Sequence, residues 1–226
     1  MLGFTFLKSA TLMATRCKGF NSKCFLFTYL IIVGFILVLW VNWFAWVNND
    51  RRDIPAELQS FLESPPRPLP KLFLKTNNKS VLTNDWFVGK WTFVYFSHGN
   101  CLPLCRASLE QMKTTQQALA NSDVQFLIVG LDAEHETTEG LSQFLHSQGY
   151  SFTVATTTVE ATEELATLFR ALFLQTDFTD SSYLIEQEHS IFMVDPKGRV
   201  YATFRSPYVG MRSHFFTLRH FFAQTE

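Results

Sequence analysis

The feature that most constrains this chain is an uncharged apolar run near its amino end, Phe25–Val47. As an α-helix, the run would be about 34 Å long at about 1.5 Å per residue, enough to cross a hydrocarbon core of about 30 Å. Three indole rings crowd its carboxyl end, where they favour the membrane–water interface: Trp40, Trp43 and Trp46. The run therefore predicts a single transmembrane helix over residues 25–47.

The charges on either side of this run predict its orientation. Four basic residues and no acidic residue precede it: Lys8, Arg16, Lys18 and Lys23. After it, the charges of residues 50–53 cancel. Because an excess of Lys and Arg keeps a flank in the cytoplasm, residues 1–24 are predicted to be cytoplasmic and the soluble part to lie across the membrane. A cleaved signal peptide is the alternative, but its apolar run would be about 7–15 residues long and followed by a small-residue cleavage site.

Two membranes fit this orientation. A bacterial inner membrane, with the soluble part in the periplasm, is favoured because the first 24 residues contain a single Arg and are weakly amphipathic. The alternative is a mitochondrial inner membrane, with the soluble part in the intermembrane space, since residues 1–24 are basic and free of acid like a presequence. In both cases the lipid bilayer is a partner of residues 25–47.

Residues 48–70 are interpreted as a stalk. Their last part, Ser64–Pro70, reads SPPRPLP, and proline removes backbone donors and favours an extended polyproline II geometry. The soluble domain is then predicted over residues 71–226, a length that suits one ordinary domain.

Hydrophobic patterning predicts an α/β domain over residues 71–226. Buried strands are predicted at Trp91–Phe96 and Val124–Leu131, where β-branched and aromatic residues follow one another. Hairpins are predicted at residues 71–82 and 190–204, the second around the turn Asp195-Pro196-Lys197-Gly198. The predicted helices are Leu104–Ala120, Glu139–Gln148, Ala161–Leu174 and Ser213–Phe222. This order predicts a mixed sheet with helices on both faces, as in a thioredoxin-like fold.

Two of the four cysteines, Cys101 and Cys105, follow the first buried strand and begin the predicted helix, whereas Cys17 and Cys24 lie near the amino end. Residues i and i+4 of a helix share one face, with Cβ atoms about 5–6 Å apart. Both sulfurs can then reach one metal ion or close a disulfide. The helix amino terminus also stabilises thiolates.

Two thiolates form a soft site that suits Cu(I) but does not by itself complete a tetrahedral Zn(II) site. A third ligand must come from elsewhere, and six histidines are available. His189 stands out because it precedes the strand of the carboxyl-terminal hairpin, and that loop faces the cysteine-bearing helix in a thioredoxin-like fold. His98 lies in the loop before the cysteines, while His146 and His220 are expected on helix surfaces or at the edge of the core.

From about Leu72 to the carboxyl end, the sequence resembles the SCO/SenC family of copper chaperones for cytochrome c oxidase. Four landmarks carry the resemblance, in order: Gly89-Lys90-Trp91, Cys101-x-x-x-Cys105, the loop at Asp132, and His189-Ser190 followed by Asp195-Pro196-x-Gly198. The resemblance implies that Cys101, Cys105 and His189 are ligands of Cu(I), Cu(II) or both, with Asp132 a nearby acidic residue.

The chain departs from the family pattern around these landmarks. Leu102-Pro103-Leu104 stands between the cysteines in place of the usual Pro-Asp pair, and Arg106 follows where a proline is usual. Glu188 replaces the aspartate before the histidine, and Ala133 replaces a proline. The chain is therefore interpreted as a divergent member.

The resemblance implies a metallochaperone that delivers copper to a cytochrome c oxidase subunit or to another copper or thiol protein. The alternative is an enzyme, a thiol–disulfide oxidoreductase in which Cys101 and Cys105 form the catalytic redox pair. Only copper binding needs His189, so that residue separates the two functions. The net charge of −1 gives no reason to expect a nucleic-acid partner.

Overall fold

The computed structural model describes residues 22–49, 54–120, 123–179, 182–206, 208 and 210–224. The chain divides into two compact units, which separate between Ile54 and Pro55. In the first unit, helix α1 (Ser22–Asn49) includes the whole predicted span 25–47. A search of the described residues finds no helix with both the length and the apolar character needed to cross a membrane. Of the predicted cytoplasmic segment 1–24, residues 1–21 lie outside the described residues.

The second unit is built on an eight-stranded sheet and a separate hairpin. The described strands are β1 (Leu62–Pro68), β2 (Leu74–Thr76), β3 (Val81–Leu82), β4 (Trp91–Ser97), β5 (Val124–Gly130), β6 (Thr153–Thr156), β7 (Phe173–Asp177), β8 (Tyr183–Gln187), β9 (Ile191–Val194) and β10 (Arg199–Phe204). The described helices are α2 (Ala56–Gln59), α3 (Arg106–Ala118), α4 (Thr138–Ser147), α5 (Val159–Phe169) and α6 (Met211–Gln224).

The sheet order is β1-β10-β9-β4-β5-β6-β2-β3. Its centre is parallel, because β5 pairs in parallel with both β4 and β6. On the other side of β4, strands β9 and β10 form the antiparallel hairpin that the sequence predicted. Strands β7 and β8 pair with each other outside this sheet.

Helices cover both faces of the central strand β4, as predicted. All seven residues of β4 are buried, which explains why the strand reads as a continuous apolar run. Phe93 contacts Phe215 of α6 with ring centroids 5.3 Å apart. On the opposite face, Phe96 contacts Phe169 of α5 at 5.5 Å. This thioredoxin-like α/β arrangement confirms the predicted fold of the soluble part.

The predicted stalk 48–70 includes residues that belong to the folded domain, because β1 lies within it. It pairs antiparallel with β10, and Arg67 lies opposite Val200. The Thr203 hydroxyl also donates to the Glu63 carboxylate at 3.0 Å. Proline is tolerated here because β1 is an edge strand, where the missing amide donors do not interrupt a central ladder.

The predicted helix Ala161–Leu174 also ends earlier than expected. Arg170 has a φ of +55° and terminates α5 at Phe169. The following apolar residues, Phe173 and Leu174, belong to β7. Their side chains alternate along a strand, so the apolar run after residue 170 continued the helical pattern only by coincidence.

Candidate functional site

The cysteine pair lies at the carboxyl end of β4. Cys101 and Cys105 form a disulfide, with Cα atoms 5.5 Å apart, and their exposed fractions are 3% and 0%. The predicted helix begins later than expected, at Arg106, so Cys105 is its N-cap and Cys101 lies in the preceding turn. The amide of Cys105 nevertheless donates to the Cys101 carbonyl at 3.1 Å, which brings the two side chains together as helical spacing would.

Two side chains of strand β4 contact the cysteine pair and His189. The Ser97 hydroxyl lies 3.3 Å from the sulfur of Cys101, and the Tyr95 hydroxyl lies 2.8 Å from Nδ1 of His189. Tyr95 and Ser97 are two residues apart, so they share one face of the strand, about 7 Å apart. Neighbouring positions of one strand therefore contact the two parts of the predicted ligand set.

His189 lies just before β9, beside the side-chain amide of Gln187. That amide nitrogen donates to the Phe96 carbonyl at 2.9 Å and to the Tyr95 hydroxyl oxygen at 3.1 Å. Burial lowers the pKa of His189 below the ordinary histidine value. The imidazole is therefore neutral at pH 7, the form in which histidine binds metals.

A second hydroxyl pair connects His189 to the cysteine-bearing helix. Ser108 lies in α3, three residues after Cys105, and its hydroxyl is 2.6 Å from the Tyr208 hydroxyl. Tyr208 also donates to the backbone carbonyl of His189. Ser108 is fully buried and Tyr208 is 6% exposed, so this bridge between α3 and the His189 loop is shielded from water.

Asp132 is buried in the loop after β5, with 5% of its surface exposed. Its carboxylate accepts from the His135 ring at 2.8 Å and from the His135 amide at 3.2 Å. It also accepts from the Tyr183 hydroxyl of β8. This hydrogen bond, together with burial, raises the pKa of Tyr183 to about 12. Asp132 therefore stabilises its own loop and connects that loop to the β7–β8 hairpin.

Two interactions join the loop after β5, which contains Asp132 and Glu136, to the loop after β4, which contains His98 and Gly99. Burial lowers the pKa of His98, and the nearby negative charge of Asp132 partly opposes this effect. The Glu136 carboxylate accepts from the Gly99 amide at 3.2 Å. A Cβ atom on Gly99 would lie 2.3 Å from Glu136 Oε1. A side chain at residue 99 would therefore displace the Glu136 carboxylate from its present position.

The donor set suits a soft metal only after the disulfide is reduced, because a disulfide presents no thiolate. Consistent with the oxidised state, no three His, Cys, Asp or Glu side chains in the described part of the chain are close enough to hold a metal ion together. The structure thus joins the two cysteines to each other and His189 to Tyr95. The proposed ligand set of Cys101, Cys105 and His189 remains a prediction.

Several residues around this site were missed from the sequence. Tyr95 and Ser97 carried a usable signal, since alternation along β4 puts them on one face at the strand end that precedes the cysteines. Ser108, Gln187 and Tyr208 carried none, because they reach the site only when distant segments of the chain pack together. His146 and His220 are exposed on helices, which is the first of the two positions expected for them.

A parallel β–α–β centre extended by an antiparallel hairpin, with a disulfide after the first parallel strand, defines a thioredoxin-like protein with a dithiol–disulfide site. Residues 70–211 match the family model described as SCO1/SenC. Because this match covers more than half of the chain, the protein belongs to the SCO1/SenC family.

Curated relatives agree with this assignment. The chain is 25% identical over 179 residues to "Protein SCO1 homolog 2, mitochondrial" of Arabidopsis thaliana, covering 73% of this chain and 64% of that protein. It is 21% identical over 130 residues to human "Protein SCO1 homolog, mitochondrial", covering 55% of this chain and 43% of that protein. The chain therefore covers less than two thirds of the length of these relatives.

Solved structures share the fold at low sequence identity. ScoI of Bradyrhizobium japonicum with copper bound superposes with a TM-score of 0.59 at 18% identity, covering 68% of this chain and 99% of that one. Apo Sco1 of Thermus thermophilus gives a TM-score of 0.59 at 20% identity, with coverages of 70% and 94%. ScoI of Arabidopsis thaliana with copper bound gives 0.57 at 16%, with coverages of 67% and 97%.

Proposed function

We propose that this protein binds copper through Cys101, Cys105 and His189 and delivers it to the assembling copper centre of cytochrome c oxidase. The observation that carries the proposal is that two residues on one face of β4 contact the two parts of the ligand set: Ser97 contacts Cys101, and Tyr95 contacts His189. Membership of the SCO1/SenC family supports it. So do the copper-bound structures of two ScoI proteins with this fold.

Copper is the cargo of this site, and the chain's own residues prepare it. An external dithiol reduces the Cys101–Cys105 disulfide, giving two thiols and leaving the external pair oxidised. Loss of the two protons yields soft thiolates, which suit Cu(I). Neutral His189 adds a borderline nitrogen ligand without adding charge.

A thiol–disulfide oxidoreductase is the second candidate, because the structure shows the pair in its disulfide form. Exchange with a protein substrate requires access to one of the sulfurs. Cys101 and Cys105 expose only 3% and 0% of their surfaces. This burial disfavours direct exchange with a protein disulfide and leaves copper binding as the better-supported function.

We further propose that residues 25–47 anchor the chain in a membrane, with the folded domain on the side opposite residues 1–24. The favoured location is a bacterial inner membrane with the domain in the periplasm. A mitochondrial inner membrane, with the domain in the intermembrane space, is the alternative. Relatives of both kinds support membrane-associated locations, since the curated ones are named mitochondrial and one matching structure is a bacterial lipoprotein.

His189→Ala in the reduced full chain tests copper binding. We expect one Cu(I) per wild-type chain and at least about a 100-fold weaker affinity in the variant, since even partners that only support a ligand cost 10–100-fold. The dithiol should still titrate, because thiol chemistry does not need the imidazole. Competition with a chromophoric Cu(I) chelator measures the affinity.

His146→Ala is the matched control, since His146 is an exposed histidine on α4. It should bind copper like the wild type. Undiminished affinity in His189→Ala would contradict the copper site. A wild-type chain that binds no copper yet exchanges its disulfide with a small dithiol would favour the oxidoreductase instead.

A further inference from the structure

The loop between β10 and α6 contacts the segment that carries His189 at two points. Arg205 forms an ion pair with Glu188, with 3.2 Å between Nε and the carboxylate, and its side chain is 67% exposed. The buried hydroxyl of Tyr208 donates to the backbone carbonyl of His189. An exposed ion pair contributes little, whereas the loss of a buried hydrogen bond leaves a polar group unsatisfied. Of the two contacts, the Tyr208 hydrogen bond is therefore expected to hold this segment.

Tyr208 also contacts the cysteine-bearing helix α3. Its hydroxyl lies 2.6 Å from that of Ser108. The carbonyl of His189 can only accept and takes the single proton of the phenol, so Ser108 donates to the Tyr208 oxygen. Ser108 follows the N-cap residue Cys105 by three positions, and the Leu109 amide donates to the Cys105 carbonyl at 3.0 Å. Tyr208 therefore connects the first turn of α3 to the backbone of His189.

The backbone of Tyr208 supports a specific role for its side chain. Its φ of +53° lies in the left-handed region, which favours glycine and is uncommon for a bulky residue. Backbone hydrogen bonds hold this conformation, since the Tyr208 amide donates to the Arg205 carbonyl at 3.0 Å and the Met211 amide donates to the Tyr208 carbonyl at 3.2 Å. Such conformations cluster at functional sites. The two hydrogen bonds of the phenol give a physical reason for a tyrosine at this position.

The ring of His189 is held separately, from strand β4. Nδ1 lies 2.8 Å from the Tyr95 hydroxyl, and Ser97 of the same strand contacts the sulfur of Cys101. The side chain of His189 is thus connected to the strand that contacts Cys101, and its backbone is connected through Tyr208 to the helix that begins after Cys105. A residue fixed at both its backbone and its side chain is preorganised as a ligand.

We infer that Tyr208, together with Ser108, is a positioning residue that holds the backbone of His189 against the cysteine-bearing helix and so preorganises the third copper ligand. This inference rests on the proposed copper function. Neither hydroxyl is assigned as a ligand, and both act through His189. Partners that only support a metal ligand commonly contribute 10–100-fold to metal affinity.

Tyr208→Phe in the reduced full chain is the main test. We expect Cu(I) affinity to fall by about 10–100-fold, with an unchanged number of titratable thiols, measured by competition with a chromophoric Cu(I) chelator. Ser108→Ala removes the connection to α3 but keeps the phenol, and it should also weaken binding. It provides a second test if Tyr208→Phe folds poorly. Affinity within about twofold of the wild type in both folded variants would overturn the inference.

The His189→Ala background distinguishes positioning from general support of the fold. The backbone carbonyl of residue 189 is still present in this variant, so Tyr208 can keep both of its hydrogen bonds. If Tyr208 acts through the imidazole, adding Tyr208→Phe to His189→Ala should weaken binding by less than about twofold. A further loss as large as in the wild-type background would show that Tyr208 only supports the fold, and would overturn the inference.

Arg205→Gln is the matched control, since it removes the exposed contact between the same loop and the same segment. Its Cu(I) affinity should stay within about twofold of the wild type, because exposed ion pairs contribute little. A loss equal to that of Tyr208→Phe would contradict a specific role for the buried hydroxyl.

Hydrogen exchange in the metal-free, oxidised full chain tests the hold on His189 without copper. The amides on either side of His189 are hydrogen-bonded, that of Glu188 to the Leu172 carbonyl at 2.8 Å and that of Ser190 to the Glu188 carbonyl at 3.0 Å. Tyr208→Phe should speed exchange at these amides and Arg205→Gln should not, as measured by mass spectrometry. Unchanged exchange in Tyr208→Phe would contradict the hold.

The copper and exchange measurements separate two kinds of failure. Faster exchange in Tyr208→Phe, with no copper bound even by the wild type, would support the hold on His189 and contradict the proposed function. Copper binding that needs His189 but is unaffected by Tyr208→Phe and Ser108→Ala would support the proposed function and contradict the positioning role.

Discussion

Glu136 is a partly buried carboxyl beside the cysteine loop, where it accepts a hydrogen bond from the Gly99 amide. Burial raises its pKa to about 7, although the Gly99 amide hydrogen bond acts in the opposite direction. The folded state therefore holds this proton to a higher pH than the unfolded chain, whose carboxyl has the ordinary value of 4.5. This group lowers the unfolding free energy as pH rises from about 4.5 to about 7, and the loss is complete above that range.

Glu136→Gln should remove that pH dependence. We expect the variant to match the wild type at pH 4.5 and to be more stable at pH 8 by about 2 kcal/mol, a value reduced for the partial exposure of the side chain. Urea unfolding at the two pH values measures the difference. The exposed Glu160 supplies a control, since Glu160→Gln should follow the wild-type pH profile. A Glu136→Gln variant less stable than the wild type at pH 8 would contradict the assignment.

Only some of the contacts around the cysteines could be predicted from the sequence. Cys101 and Cys105 could be paired from their spacing, because a separation of four brings two side chains onto one side of a helical turn. The buried contacts of Asp132 could not be read, because Tyr183 is 51 positions away along the chain. A contact of that length depends on the packing of whole elements and leaves no local periodicity.

At the level of elements, the β7–β8 hairpin stands apart from the main sheet. Its strands pair only with each other, and its contacts with the rest of the domain include the Tyr183–Asp132 hydrogen bond. The side-chain amide of Gln187 also donates a hydrogen bond to the Phe96 carbonyl at 2.9 Å. A two-stranded hairpin is marginal on its own in water, so these connections stabilise the element that leads directly into His189.

Tyr183→Phe should loosen this hairpin. The change leaves the buried Asp132 carboxylate with one donor fewer, and a hydrogen bond to a charged group contributes about 1.5–3 kcal/mol. We expect a comparable drop in unfolding free energy and faster hydrogen exchange at the amides of β7 and β8, measured by mass spectrometry.

Tyr150→Phe is the comparison for that experiment, since it also removes a phenol bonded to a carboxylate. It should lower stability without a selective increase of exchange in the hairpin. Equal exchange in the hairpin of wild type and Tyr183→Phe would show that the Asp132 contact does not hold this element.

Elements with strong local patterns were predicted and the others were missed. Strands β4 and β5 read as apolar runs because both of their faces are buried. Strand β1 was missed because its prolines resemble a spacer, and only its pairing with β10 makes it a strand. The β7–β8 hairpin was missed because exposed leucines at 174 and 184 obscure the alternation that its partial burial would otherwise produce.

At the scale of the whole molecule, the proposed anchor makes a direct prediction. The full chain should remain with membranes after extraction at alkaline pH, because an uncharged run of this length is costly to expose to water. Residues 55–224 should be cleaved by protease only from the side opposite residues 1–24. Immunoblots with tags at the two ends measure both properties.

A variant that lacks residues 25–47 is the control, and it should appear in the soluble fraction. A mature chain shortened by about 47 residues in intact-mass measurements would instead support a cleaved signal peptide. Extraction of the full chain at alkaline pH without such cleavage would contradict the anchor.

The sequence by itself determined the α/β class, the central strands, the carboxyl-terminal hairpin and the pairing of Cys101 with Cys105. These features depend on periodicity, turn chemistry and short separations, which are local properties of a chain. Only the tertiary structure decided that β1 belongs to the sheet and that Asp132 is enclosed by Tyr183 and His135. It alone also joined Tyr95, Ser108 and Tyr208 around His189, because hydrogen bonds between distant segments exist only once the sheet and helices have packed.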